Sequence, residues 1–263
     1  MSRRTLLVCF TLFFAFENYS LAQNQTASDP QALAYAARSI AALTGGTQIS
    51  DLTLTGSVIW TAGSDTESGT AVLKALGVIE SRMDLVLTGG THSEIRDAST
   101  GTALGQWILP GNSSGYLSPE NCFTDPVWFF PALGSLTGGP SVVLLYVGQE
   151  TRNGVTVQHI QSYSTASTQL PPPGPTVQQL STVDFYLDSS TLLPSAVVFN
   201  SHPDTDASTN IPIEIDFSGY QTNGGLMVPQ RIQRYLQGTL AVDISITGIT
   251  VNSGLTMSQF AIN

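Results

Sequence analysis

Apolar and polar residues alternate with a period of two through most of this 263-residue chain. In "LTLTGSVIW" (52–60), Leu52, Leu54, Val58 and Trp60 alternate with Thr53, Thr55 and Ser57, the pattern of a strand buried on one face. "TAVLKALGVI" (70–79) and "RMDLVLTG" (82–89) follow across short gaps, and in the second Met83, Leu85 and Leu87 share a face opposite Asp84. "LLYVGQETRNGVTVQHIQSYS" (144–164) predicts a hairpin, with Asn153–Gly154 supplying the positive φ angles of a tight turn. Later, Ile211, Ile213, Ile215 and Phe217 alternate with Glu214 and Asp216, and Leu240, Val242, Ile244 and Ile246 flank Asp243. One apolar and one polar face on each strand predict an antiparallel sheet covered on one side only.

Two segments break this period. "SDPQALAYAARSIAALTGG" (28–46) predicts a helix with Ser28 as N-cap, Asp29 beside the positive helix end and Pro30 in the first turn. Leu33, Ala36, Ala37, Ile40 and Leu43 form its expected apolar stripe, and Gly45–Gly46 its stop. "FTDPVWFFPALG" (123–134) packs Trp128, Phe129 and Phe130 between two prolines. Thr124 would cap a short helix there, with Asp125 and Pro126 in its first turn, Pro131 keeping it short or kinked, and Gly134 ending it.

Nothing marks a domain boundary. The best linker candidate, "TQLPPPGPTVQQ" (168–179), has strands of one character on both sides, which predicts an exposed loop between neighbouring strands rather than a hinge. "NSHPDTDASTN" (200–210) is a second long loop. Residues 23–263 are expected to form a single β domain.

The first residues have the build of a secretory signal: "MSRR", then apolar "TLLVCFTLFFAF", then "YSLA" with its small end, predicting cleavage after Ala22. About twelve apolar residues are too few to span a bilayer as a helix. Without Cys9, Cys122 is the only thiol, so no internal disulfide is expected, and its apolar setting predicts a buried structural thiol. The expected location is periplasmic or extracellular, in a bacterial envelope.

Charge narrows the field further. Nine Lys and Arg stand against nineteen Asp and Glu, for a net charge of −10, and Lys74 is the only lysine. Nothing supplies the phosphate-neutralising term on which nucleic-acid affinity depends, or docking on anionic lipid. Beyond the signal, no apolar run approaches a membrane span.

The search for catalysis yields near misses. "GNSSG" (111–115) fits G-x-S-x-G, but Pro110 precedes it and "YLSPEN" follows, where the serine nucleophile needs a strand-to-helix elbow. A Gly/Ser loop is expected instead. His92, His159 and His202 stand singly, without zinc-ligand spacing, and His159 shares a strand face with Val155 and Val157, as a hydrogen-bonded structural histidine would. Asp204 and Asp206 lack the Gly and distal Glu of a calcium loop. A carboxylate pair of glycosidase type is not picked out by any spacing. The sequence assigns no cofactor, metal or catalytic residue.

The C-terminal third carries a family signal. "VDFYLDSSTLLPSAVVF" (183–199) reads as strand, Asp-led turn, Leu-Pro and returning strand, and residues 211–262 continue as strand, "GYQTNGGLMVP", strand, turn and strand. This resembles the late strands of the LolA-like superfamily of outer-membrane lipoprotein carriers and periplasmic or mycobacterial lipid-binding proteins. The matching positions are Asp188, Leu193, Pro194, Gly225, Val228 and Pro229. The similarity covers roughly residues 30–60 and 183–262, while the middle third departs from the pattern.

The resemblance implies a mainly β fold with a few helices: a single strongly curved antiparallel sheet, an unclosed barrel, whose concave side is covered by the N-terminal helix. It also implies an apolar space able to hold acyl chains, and it brings no catalytic residue. No residue matches the arginine that gates the lid in the lipoprotein carriers. The short aromatic helix would complete the floor or lid of the cavity, or else fill a solid core. The expected function is non-enzymatic binding of a lipid or other apolar ligand, with Trp60, Met83, Leu85, Leu87, Trp107, Trp128, Phe129 and Phe130 as lining residues. The alternative is a structural or interaction module of the envelope with no ligand. A protein partner is not identified by the sequence.

Overall fold

The structure, a computed structural model, describes residues 27–78, 80–97, 104–118, 121–123, 136, 141–165 and 176–262. Helix α1 (Pro30–Thr44) precedes six strands joined in a meander: β1 (Asp51–Ala62), β2 (Asp65–Leu76), β3 (Glu80–Leu87), β4 (Gly90–Asp97), β5 (Leu104–Leu109) and β6 (Ser113–Tyr116). A second run follows, with β7 (Val142–Arg152), β8 (Val155–Ser164), helix α2 (Val177–Ser181), β9 (Val183–Asp188), β10 (Pro194–Ser201) and β11 (Ile211–Ser218). The small hairpin β12 (Gln221–Asn223) and β13 (Leu226–Val228) leads to β14 (Arg231–Leu236) and β15 (Thr239–Val251).

Thirteen of these strands form one antiparallel sheet in the order β6-β5-β4-β3-β2-β1-β15-β14-β11-β10-β9-β8-β7. The last strand pairs with the first, setting Val58 opposite Ile244 and Trp60 opposite Val242. β8 and β9 are neighbours, so the proline-rich segment joins adjacent strands of one sheet. The sheet is mainly antiparallel ladder and is not closed into a barrel, as β6 and β7 are its two ends.

Its curvature follows from chain length. β6 and β10 lie nine places apart in the sheet order, about 43 Å in a flat sheet. Yet five residues after Tyr116, the Asn121 side chain bonds His202, the residue after Ser201 at the end of β10. Five residues reach at most about 18 Å. Only a strongly curled sheet brings the two together.

Partners in register place Leu52, Leu54, Val58, Leu73, Met83, Leu85 and Leu87 on the same face as Phe185, Val197, Ile213, Ile215, Ile232 and Ile244. All are buried in one continuous core, and all lie on the inner side of the curl. The alternation in the sequence is therefore the alternation between the inside and the outside of the curl.

Helix α1 lies on that inner side, with Tyr35 stacked on Tyr146 of β7 at 5.3 Å between ring centroids. Its N-cap is Asp29, whose carboxylate accepts from the Gln31 amide at 2.7 Å, rather than Ser28. Ser28 instead accepts from the Leu144 amide, while the Asp29 amide donates to the Leu144 carbonyl, occupying the edge of β7. The buried stripe is Ala32, Ala36, Ser39 and Leu43, turned from the expected one. Small residues at these positions let the helix lie close to the sheet, and Leu33 and Ala37 are exposed. Gly45 ends the helix with φ 57, and a Cβ there would stand 2.8 Å from the Gly225 carbonyl oxygen. Glycine is required on both counts.

The resemblance motif has a local physical cause. The Asp188 carboxylate accepts from the backbone amides of Ser190 and Thr191 at 2.9 and 2.8 Å and from both hydroxyls. This closes the turn through Leu192 (φ 60) into Pro194. The Tyr220 hydroxyl donates to the Pro194 carbonyl at 2.7 Å, tying that turn to the second half of the motif.

Candidate functional site

Among the described residues, the inner face of the sheet borders open space at one end. Toward the end of the sheet that bears the β1–β2 and β14–β15 turns lies a cavity of about 640 Å³, within the range of small-molecule sites. Trp60 of β1, Met83 and Leu85 of β3, Trp107 of β5, Ile213 of β11 and Val242 of β15 supply apolar wall. Ala62, Gly63, Leu236 and Gln237, at or beside the turns, form its rim.

Each wall residue is placed by strand register. Trp60 opposes Val242, and Met83 opposes Glu94, so these side chains rise from the same inner face. Trp107 opposes Gly115, and a Cβ at Gly115 would stand 2.5 Å from the indole. The ring therefore rests on bare backbone of β6, a position that any larger residue at 115 would disturb.

Besides Thr61, Ser93, Gln237 and Thr239, the cavity is lined by His92, Glu94 and Arg234. His92 sits beside Trp60, with ring centroids 5.0 Å apart. Arg234 of β14 reaches Glu94 of β4, its Nη1 3.3 Å from both carboxylate oxygens. Arg234 opposes Ile215 and Val242, both buried, so it occupies an apolar position of its strand.

On the outer face, charged groups gather over β7–β11. Arg152 pairs with Glu214, and its guanidinium carbon lies 3.9 Å from the Tyr186 ring centroid. His159 Nε2 contacts Asp184 Oδ1 at 2.8 Å. Burial, then the Glu214 carboxylate, pushes Asp216 up to about 6. The His159–Asp184 contact joins neighbouring strands, whereas Arg152 on β7 reaches across the sheet to Tyr186 on β9 and Glu214 on β11.

Four of the expected lining residues, Trp60, Met83, Leu85 and Trp107, come together around this cavity. Leu87 shares their face and the same continuous core, but it does not border this cavity. Trp128, Phe129 and Phe130, with the short helix expected around them, lie outside the described residues, as do residues 1–26 with the expected signal. Leu136, from the segment that must run from β6 to β7, is buried in the inner core. Ser113 opens β6 after the turn Pro110–Asn112, so a strand stands where a nucleophile elbow needs a helix. Cys122 is buried. Among the described residues, no cluster of His, Cys, Asp and Glu has metal-site form, and no helix is long and apolar enough to cross a membrane.

Glu94 and Arg234 were not singled out by the sequence, and His92 stands there only as a lone histidine without metal-ligand spacing. The available signal was Arg234 itself, in phase with Ile232 and Leu236 on a strand whose inner positions are otherwise apolar. In β4 the signal is masked, since Ser93 and Ile95 are the buried residues there.

Solved structures share this architecture. A domain from Vibrio parahaemolyticus named for outer membrane lipoprotein sorting aligns with a TM-score of 0.57 at 14% identity, covering 87% of this chain and 95% of that one. The fold is LolA-like. A LolA superfamily protein from Nitrosomonas europaea aligns with a TM-score of 0.54 at 10% identity, covering 88% of this chain and 97% of its own. A DUF1329 family protein from Desulfovibrio piger gives 0.53 at 13% identity, with 90% and 98% covered. No family model matches the chain, and no curated protein matches it. At these identities the LolA-like likeness is one of fold.

Proposed function

We propose that this protein is an exported, non-enzymatic binding protein that holds a lipid or other apolar ligand inside its curved sheet. The observation that carries this reading is the cavity of about 640 Å³ walled by Trp60, Met83, Leu85, Trp107 and Val242. A fold gains by filling such a space with its own side chains, so a largely apolar cavity among the described residues of a LolA-like sheet favours a ligand. The naming of a structural neighbour for lipoprotein sorting agrees with acyl chains as the class. In this reading residues 1–22 are removed on export, and residues 23–263 act as one domain.

The test is mass spectrometry of organic extracts from natively purified protein, together with titration of a neutral fluorescent apolar probe. A stoichiometric co-purifying lipid or saturable probe binding supports the reading. Neither, at any probe concentration, would leave the protein as an envelope interaction module.

A further inference from the structure

The partners of the basic residues bear on the charge of the ligand. After Arg3 and Arg4 of the expected signal, the chain carries seven Lys and Arg, all of them among the described residues. Each can therefore be followed to its neighbours. Arg82 grips Asp84 as a fork at 2.8 and 2.9 Å, and Arg231 grips Asp243 at 2.9 and 2.6 Å. Arg152 pairs with Glu214 through one nitrogen. Arg96 is buried where the Glu80 charge acts on it. Arg38 is exposed on α1, over the Tyr35 ring. Lys74 alternates with buried Leu73 and Ala75, which puts it on the outer face of β2.

That leaves Arg234, the one Lys or Arg that lines the cavity, and it stands against Glu94, which lines the cavity too. Their side chains are 16% and 28% exposed. The interior thus holds one charge of each sign, already facing one another. His92, the histidine of the wall, has the Glu67 carboxylate as its charge neighbour. The turns around the mouth add no cation. Residues 62–65, 87–90, 109–113 and 236–239 read "AGSD", "LTGG", "LPGNS" and "LQGT", and their one charge is Asp65.

An ionised head drawn into this space would be buried beside a pair that already balances itself, and a buried charge without its own partner is costly. An anionic head left at the mouth would meet Asp65 and Glu67, on a protein of net charge −10. A cationic head inside would face Arg234, whose charge persists at all accessible pH. At the mouth it would gain only the screened attraction of exposed Asp65. An uncharged head meets none of these penalties. Gln237 and Thr239, exposed at the rim, are able to donate to its hydroxyl or ester oxygens.

Resting on the binding function proposed above, we infer that the ligand is an uncharged amphiphile, an acyl ester or long-chain alcohol. Its chain lies along Trp60, Met83, Leu85 and Trp107, and its head meets Gln237 and Thr239 at the rim. The Arg234–Glu94 pair stays closed, a polar cross-link between β14 and β4 beneath the head.

The experiment displaces a neutral probe, N-phenylnaphthylamine, with methyl dodecanoate, monododecanoylglycerol, dodecanoate, dodecyl phosphate and dodecylammonium, each below its solubility limit. A buffer of about pH 8 lies above the usual histidine range. Wild type should bind both esters at least about tenfold more tightly than either anion, and more tightly than the ammonium. Thr239→Lys sets an uncommitted cation at the exposed rim. It should tighten dodecanoate about two- to tenfold and leave methyl dodecanoate unchanged. Comparing the ester-to-anion ratio between the two proteins cancels the difference in water solubility of the ligands. Thermal midpoints confirm that the variant is folded. Anions that match the esters in wild type, an ammonium that exceeds them, or a ratio unchanged by Thr239→Lys overturns this inference and leaves the binding function standing. Failure of the probe and all five amphiphiles to bind overturns both.

Discussion

Asn121 clasps His202 as a strand would. Its amide nitrogen donates to the His202 carbonyl at 2.7 Å, and its amide oxygen accepts from the His202 amide at 2.7 Å. Asn121 is buried, so both backbone groups depend on it. Asn121→Ala should cost about 1–3 kcal/mol, the penalty of burying polar groups unpaired. Asn121→Asp should also destabilise, because it sets a carboxylate oxygen against the His202 carbonyl. Urea unfolding reads both, as a lower midpoint at unchanged slope.

This clasp shows what the sequence could and could not reveal. The alternation of Leu52, Leu54 and Val58, or of Ile211, Ile213 and Ile215, is local, and it states directly which residues face inward. The Asp188 turn and the Gly45 stop are equally local, a few residues each closing on themselves. Curvature is not local. Arg234 and Glu94 stand 140 residues apart and five places apart in the sheet order, about 24 Å in a flat sheet. Only the curl makes them partners, and no spacing in the chain records it. The helix stripe is legible in part, for a related reason: Ala36 and Leu43 face inward as expected, but hydrophobicity nominates Leu33 and Ala37 where fit against the sheet selects Ala32 and Ser39.

The Asp188 turn should be a measurable strut. Its carboxylate satisfies two amides and two hydroxyls at once. Burial pushes that carboxyl up, but the bonds from Ser190 and Thr191 outweigh it and hold it below 3.8. Asp188→Ala should cost about 1–2 kcal/mol, and Asp188→Asn less, since an amide oxygen still accepts. Thermal unfolding of the two variants gives the order; equal loss would show that the charge, not the acceptor, matters.

Stability should pass through a maximum in mild acid. Asp216 is raised to about 6 from an ordinary 3.8, so the folded state holds its proton more tightly than the unfolded state does. Its contribution is full below 3.8 and is lost as pH rises through about 6. Asp51 and Asp243 are opposite in sign. At Asp51, burial pushes the carboxyl up, but bonds from Ser253, Gly254 and Ser50 outweigh it; at Asp243 the Arg231 bond lowers it. Their contribution is present above 3.8 and disappears as pH falls through their folded values. Midpoints measured across pH should peak near about pH 4–5, and Asp216→Asn should flatten the neutral limb alone. An unchanged neutral limb in that variant would assign the dependence to another group.

One sheet receives strands from both halves of the chain, and β1 pairs with β15. Residues 23–263 should therefore unfold in a single transition, followed by calorimetry with chelator and reductant present. Two separated transitions would divide the domain.

The cavity wall and the solid core should answer truncation differently. Leu54 and Ile244 are packed on all sides in the continuous core, and replacing either with Ala should cost about 2–5 kcal/mol. Trp60 and Trp107 are larger, yet each borders the cavity, and a side chain facing a void lacks partner atoms on that side. Their Ala variants should lose less stability than their size suggests, below the about 3–5 kcal/mol usual for a buried aromatic, while probe affinity falls at least several-fold. Gly115→Val offers a third lever. It keeps both tryptophans but displaces the Trp107 indole from the backbone of β6, so it should shrink the cavity and weaken binding without removing a wall. Midpoint and affinity must be measured together for each variant. If both Trp variants are as unstable as a full aromatic deletion and bind the probe as the parent does, the space they border holds no ligand.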